Sequence, residues 1–156
     1  DDVGDFDTNL KVNPPLRPER DRDQLVAALA DGVIDCIATD HSPRTAFEKN
    51  MPFGESPFGM VGLETAFVAL HHHFVKTGKL DWSTIVRTFS RNPRKCTGAE
   101  TAEISSGKDA EFMVFDPAGE TTFTAETMRS RSSNSPFLGR TLVGRIERVI
   151  FGSEIS

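Results

Sequence analysis

The sequence predicts an α/β chain that turns β-rich in its last third. Three observations carry this. A helical pattern over residues 19–30 runs through Asp31-Gly32 into the apolar stretch 33–38, the helix–turn–strand half of a βαβ unit. That stretch ends in Asp40-His41-Ser42-Pro43, which places an ionisable pair at the C-terminal mouth of a buried parallel strand. After Gly98 the texture changes to short strands separated by polar turns.

The elements follow in order. Residues 1–17 form an irregular lead-in, with Asn13-Pro14-Pro15-Leu16-Arg17 rigid and extended because each proline fixes its own φ and restricts its predecessor. Leu25, Val26 and Leu29 form the apolar stripe of the first helix. Residues 41–59 make a long connection rich in Pro, Gly and charge, of the kind that is functional or disordered. A second helix is expected from Met60 to Lys76, with Met60, Leu63, Phe67, Leu70 and Phe74 on one face. A third starts behind Asp81 as N-cap and carries Trp82, Ile85, Val86 and Phe89. Asn92-Pro93 breaks it, and a short helical turn continues to Gly98. Strands are expected at 110–115, 121–124 and 145–151. The division is therefore 1–98, α/β, and 99–156, β-rich; the second part is too small for a sandwich of its own and suits strands added to a larger sheet.

Composition bounds the function. A net charge of -5 argues against a nucleic-acid footprint, and no apolar run is long enough to span a membrane. Cys36 and Cys96, far apart in sequence, read as reduced, packed thiols of a cytoplasmic protein. The chain opens at Asp1 without Met, which fits processing, a cloning boundary or truncation. At 156 residues it is shorter than a complete (β/α)8 barrel, which takes roughly 250. In such barrels the strand mouth is where chemistry occurs, and a carboxylate there serves as metal ligand, general base or both. For Asp40 the plain alternative is a capping or turn residue.

Four segments together resemble the metal-dependent dihydroorotases of the amidohydrolase superfamily: Asn13-Pro14-Pro15-Leu16-Arg17; Asp31-Gly32 with Ala38-Thr39-Asp40-His41; Ser56-Pro57-Phe58-Gly59-Met60-Val61-Gly62-Leu63-Glu64-Thr65; and Asn134-Ser135-Pro136-Phe137-Leu138-Gly139-Arg140. The resemblance implies the C-terminal part of a (β/α)8 metal-dependent hydrolase barrel followed by strands of a small β-sandwich appendage. It implies the interconversion of N-carbamoyl-L-aspartate and L-dihydroorotate in pyrimidine synthesis, with zinc (Zn2+) as cofactor. Asp40 matches the aspartate that binds metal and shuttles the proton, and Asn13, Phe58 and Gly59 match substrate contacts. Arg44 stands where the family has a substrate-contacting histidine; a guanidinium can still grip a carboxylate.

The family's other metal ligands have no counterpart in this sequence. His71-x-His73 does not replace them, because on a helix positions i and i+2 diverge by roughly 200°. His41 reads as packing or as a second-layer hydrogen bond, and Glu48 and Glu64 as surface or capping groups. The chain alone is therefore expected to have little or no activity. Partners to expect are the small-molecule substrate, a complementing N-terminal part, a second copy, or aspartate transcarbamoylase. A non-catalytic scaffold for that enzyme and an allantoinase- or hydantoinase-type cyclic amidohydrolase are the alternatives. Open strand edges and an exposed apolar seam predict association or poor solubility.

Overall fold

A computed structural model describes residues 5–152 and 154–155; the first four residues of the lead-in lie outside it. A 3-10 turn, Thr8–Leu10, is capped by the Asp7 carboxylate, which accepts from Asn9 N. Helix α1 spans Glu19–Ala30. A single turn, α2, spans Ala46–Lys49. Helix α3, Ala66–Leu70, continues as a π-helical turn, His71–Val75. Helix α4, Trp82–Val86, passes through a second π turn, Arg87–Arg91, into α5, Asn92–Thr97. Strands β1, Glu111–Thr122, β2, Thr141–Phe151, and β3, Glu154–Ile155, form an antiparallel sheet in the order β1-β2-β3. No described helix is long and apolar enough to cross a membrane.

The α/β character is present, and no sandwich is formed by the three strands. The register runs from Glu111 opposite Phe151 to Thr122 opposite Thr141, with irregularities after Val114 and after Asp116. The two strands expected at 110–115 and 121–124 are therefore one. Pro117 interrupts the ladder because it has no N–H, and the strand resumes pairing at Glu120. The sheet turns one face to α3, where Val68, Phe123 and Leu142 are buried with Ala69, Phe115 and Phe137 against them. Phe67 meets Phe115 edge to face at 5.0 Å, and the His71 ring stacks on Trp82 at 5.2 Å.

Four further expectations are corrected. Residues 33–34 bend off the end of α1 and 35–38 run on from them, pairing with no strand among the described residues, and Val33 is 76% exposed. An apolar run becomes a strand only when another strand lies beside it, and here the backbone bonds go to helical turns: Val33 N and Ile34 N donate to Ala28 O, and Ile37 N donates to Thr88 O. The stripe of α1 meets no apolar layer: no residue of that helix is buried. The second helix begins at Ala66, not Met60. Residues 59–62 lie extended against 39–42, which leaves Leu63 64% exposed. Finally, Pro93 does not break the third helix. Its ring would clash with a carbonyl in a regular α turn, and the π turn just before it widens the coil. Gly98, with φ +72, then ends the helix in the left-handed conformation that favours glycine.

Candidate active site

Asp40 ends the extended segment with φ +45, in the left-handed region that aspartate tolerates better than most residues. Its carboxylate is on an exposed residue and makes no hydrogen bond among the described residues. The next residue turns inward. His41 Nδ1 accepts from Gly62 N and Leu63 N, each at 3.2 Å, which leaves the proton of the neutral ring on Nε2. Ser42 N donates to Met60 O at 2.9 Å, and His41 and Met60 form a parallel bridge. Two glycines permit this approach. A Cβ on Gly59, at φ +122, would sit 2.7 Å from Ser42 O, and one on Gly62 would sit 2.7 Å from Thr39 O.

Asn134 locks the assembly from the long connection between β1 and β2. Its side chain is almost wholly buried, and every bond it makes spans elements distant in sequence except one. Oδ1 accepts from Arg44 N at 2.8 Å and from Ser132 Oγ at 2.8 Å; Nδ2 donates to Gly59 O at 3.1 Å. Its carbonyl accepts from Val61 N at 2.9 Å. Ser132 Oγ also bonds Arg44 O. Arg44 Nε donates to Phe58 O at 2.8 Å, so part of its guanidinium is committed to the loop. Further along, Glu64 accepts from Arg129 N and Ser130 N, both at 2.7 Å, and so fixes the same connection from the other side.

Two lysines join the N-terminal segment to this loop. Lys49, only 6% exposed, donates through Nζ to Thr8 O at 2.8 Å and Pro57 O at 2.9 Å. Burial pushes its pKa below the ordinary 10.5, and the nearby Arg44 and Lys11 charges push the same way. Lys11 lies over the Phe58 ring, 5.1 Å from Nζ to centroid, and Lys11 O accepts from Gly59 N at 3.0 Å. Asn13 follows two residues later, exposed, before a cis peptide bond to Pro14.

The structure thus joins Arg44, Phe58 and Gly59 directly, sets the Asp40 turn alongside them, and brings the Asn13 segment to the same loop through Lys11. A cavity of about 580 Å³ opens at Arg44, lined also by Lys49, Arg131, Ser132 and Asn134; the other four candidates do not line it. A larger one, about 1040 Å³, lies between α4, α5 and β1 and contains none of the five candidates. The arrangement offers an exposed Asp40 carboxylate and, on the adjoining loop, the Arg44 guanidinium, a group suited to a carboxylate.

Among the described residues no three His, Cys, Asp or Glu side chains gather to hold a metal ion. The three consecutive histidines point to three different neighbours. His71, which is buried and not partly solvated, donates from Nε2 to Pro117 O at 3.0 Å. His72 Nδ1 accepts from Val143 N at 2.9 Å. His73 lies near Phe137. Asp40 is therefore a single donor without companions in this stretch, and these residues do not by themselves fit a zinc site. Glu48 closes a capping box with Thr45, accepting from Thr45 N at 2.8 Å. Asn134, Lys49 and Glu64 had no organising role in the sequence reading. Asn134 and Glu64 carried a signal, their places in the motif segments 134–140 and 56–65; Lys49 carried none.

Comparison with known proteins bears on this arrangement. The profile described as "Amidohydrolase family" matches residues 9–155. A dihydroorotase of Clostridium acetobutylicum is 43% identical over 148 residues, covering 95% of this chain and 35% of that protein. The structure of a D-hydantoinase (dihydropyrimidinase) from Thermus sp. superposes with a TM-score of 0.83 at 28% identity, covering 95% of this chain and 33% of the other. An L-hydantoinase (dihydropyrimidinase) from Arthrobacter aurescens superposes at 0.89 with 24% identity, covering 99% and 35%, a likeness of fold. The chain spans about a third of the length of the curated relatives it matches. It belongs to the amidohydrolase family.

Proposed function

We propose that this member of the amidohydrolase family is the C-terminal third of a dihydroorotase, interconverting N-carbamoyl-L-aspartate and L-dihydroorotate in pyrimidine synthesis. The observation that carries the reading is the Asp40 turn: an exposed carboxylate, without a hydrogen-bond partner among the described residues, held in a left-handed conformation against a loop that a buried asparagine locks in place. The dihydroorotase relatives support the substrate class.

In ring opening, Asp40 takes a proton from the attacking water and delivers it to the ring nitrogen as the C–N bond breaks; ring closure runs the same transfer in reverse. The Arg44 N–H groups not used on Phe58 O meet the substrate carboxylate. Gly59 has both backbone groups occupied, by Lys11 O and Asn134 Nδ2, so its contribution is close approach, while Phe58 offers a half-exposed ring. Asn13 approaches from the N-terminal segment. Zinc would supply polarisation of the amide carbonyl; Asp40 is its one candidate ligand here, and the rest of its cage would come from residues beyond this stretch. Residues 1–98 would complete a barrel and 99–156 an appended sheet. The assembly would operate in the cytoplasm, alone, as an oligomer, or with aspartate transcarbamoylase.

The test is the complete protein encoded with this sequence, assayed on L-dihydroorotate, N-carbamoyl-L-aspartate, hydantoin and dihydrouracil. Turnover of the first two is expected, with kcat falling about 10²–10⁴-fold in Asp40→Asn. Preference for hydantoin or dihydrouracil would favour the second reading, a hydantoinase-type enzyme, which the Thermus likeness supports. No turnover with retained binding to aspartate transcarbamoylase would identify a scaffold.

A further inference from the structure

Cys36 and Cys96 stand sixty positions apart, and the fold brings their Sγ atoms to 3.5 Å. Both are free thiols, Cys36 half-buried and Cys96 exposed. Their meeting is held by bonds on either side of Cys36. Asn92 Nδ2 donates to Asp35 O at 2.9 Å, and Ile37 N donates to Thr88 O at 2.9 Å. The extended segment is therefore tied to the α4–α5 path immediately before and immediately after the cysteine.

We propose that Cys36 and Cys96 form a redox modification site: a small disulfide oxidant such as oxidised glutathione converts them to an intramolecular disulfide that ties the segment leading to Asp40 to the end of α5. A disulfide bond is close to 2.05 Å, so the sulfurs must approach by about 1.5 Å. Cys96 lies in the last turn of α5, just before the Gly98 stop, where such a shift disturbs no buried packing. Burial, and next the adjoining Cys96, push the Cys36 thiol up, so the exposed Cys96 reacts first.

The step balances. Cys96 loses its proton and its thiolate attacks one sulfur of the oxidant, which releases one small thiol and leaves a mixed disulfide. Cys36 then loses its proton and attacks Sγ of Cys96, forming the protein disulfide and releasing the second small thiol. Two protein thiols are oxidised and one small disulfide is reduced to two thiols. Excess small thiol reverses the exchange. The bond would restrain the short run from Cys36 to Asp40, and the proposal stands whether or not Asp40 is catalytic.

The test uses the full chain, reduced and then equilibrated in a series of glutathione redox buffers. Free thiols are counted under native conditions, and the products are mapped by non-reducing proteolysis and mass spectrometry. The expected result is a linked Cys36–Cys96 peptide lighter by two hydrogens, with the thiol count falling from two to none and recovering with excess reductant. Cys36→Ser and Cys96→Ser should each stop at a glutathione adduct; if either variant fails to fold, the unsubstituted chain still decides. Thiols that both stay free, or that form only glutathione adducts or links between molecules, would overturn the proposal.

Discussion

Around α3 the hairpin buries Val68, Phe123 and Leu142 and stacks Phe67, His71, Trp82 and Phe115. Around Asp40 the chain is joined by polar groups: Asn134 to Arg44 and Gly59, His41 to Gly62 and Leu63, and Lys49 to Thr8 and Pro57. These regions answer to different physics. Apolar burial is non-directional and contributes about 1.5–3 kcal/mol for each large side chain. A hydrogen bond contributes a net of about 0.5–1.5 kcal/mol but needs a particular partner in a particular place. The hairpin region therefore carries stability, and the loop region carries shape. A site built the second way holds backbone and side chains in register without covering the carboxylate that must stay reachable.

Truncating the apolar side of this comparison should cost most. Leu142→Ala is expected to lower stability by about 2–5 kcal/mol, read as a lower urea midpoint at unchanged slope. A loss below that range would show the cluster to be less of a core than its burial indicates. Asn134→Ala should cost less globally, about 1–3 kcal/mol, because Arg44 N and Gly59 O lose their partner away from water. Its signature is local: amide exchange should rise at Val61 and Gly62 and leave β1 and β2 protected. Uniform exchange throughout would break the distinction between the two regions.

The smallest effect is at His73, in the π turn that follows α3. Burial first, then His72, Arg140 and Arg22, hold its pKa below the ordinary 6.5. The folded protein therefore resists a proton that the unfolded chain accepts. Stability is full above 6.5 and is lost as the pH falls from there towards the folded value. His73→Gln should flatten that slope in pH-dependent denaturant titrations. The Glu48 and Asp81 carboxylates are also held low, by bonds from Thr45 and Thr84, so their losses come at more acid pH and separate from the histidine's. An unchanged slope in the variant would assign it to another group.

The legible parts were those set by local rules. Helix α1, the Asp81 cap and the Gly98 stop follow from capping and turn chemistry, and the structure has them; of the strands, the expected 145–151 falls within β2, while 110–115 and 121–124 merge into β1. Asp40, Arg44, Phe58 and Gly59 were legible as motif residues, and the fold gathers their segments. What only tertiary structure decided were the contacts without a local signal. Residues 33–38 read as a strand because they are apolar, yet a strand exists only beside another. Residues 60–65 carry helical spacing, yet Gly59, Gly62 and the Asn134 carbonyl draw 60–62 into an extended path, and 63–65 turn from it into α3. Periodicity records which faces avoid water; it contains nothing about which buried amide will meet which carbonyl across the chain. For that reason Asn134, Lys49, Glu64 and the Cys36–Cys96 meeting emerged only when distant segments were brought together.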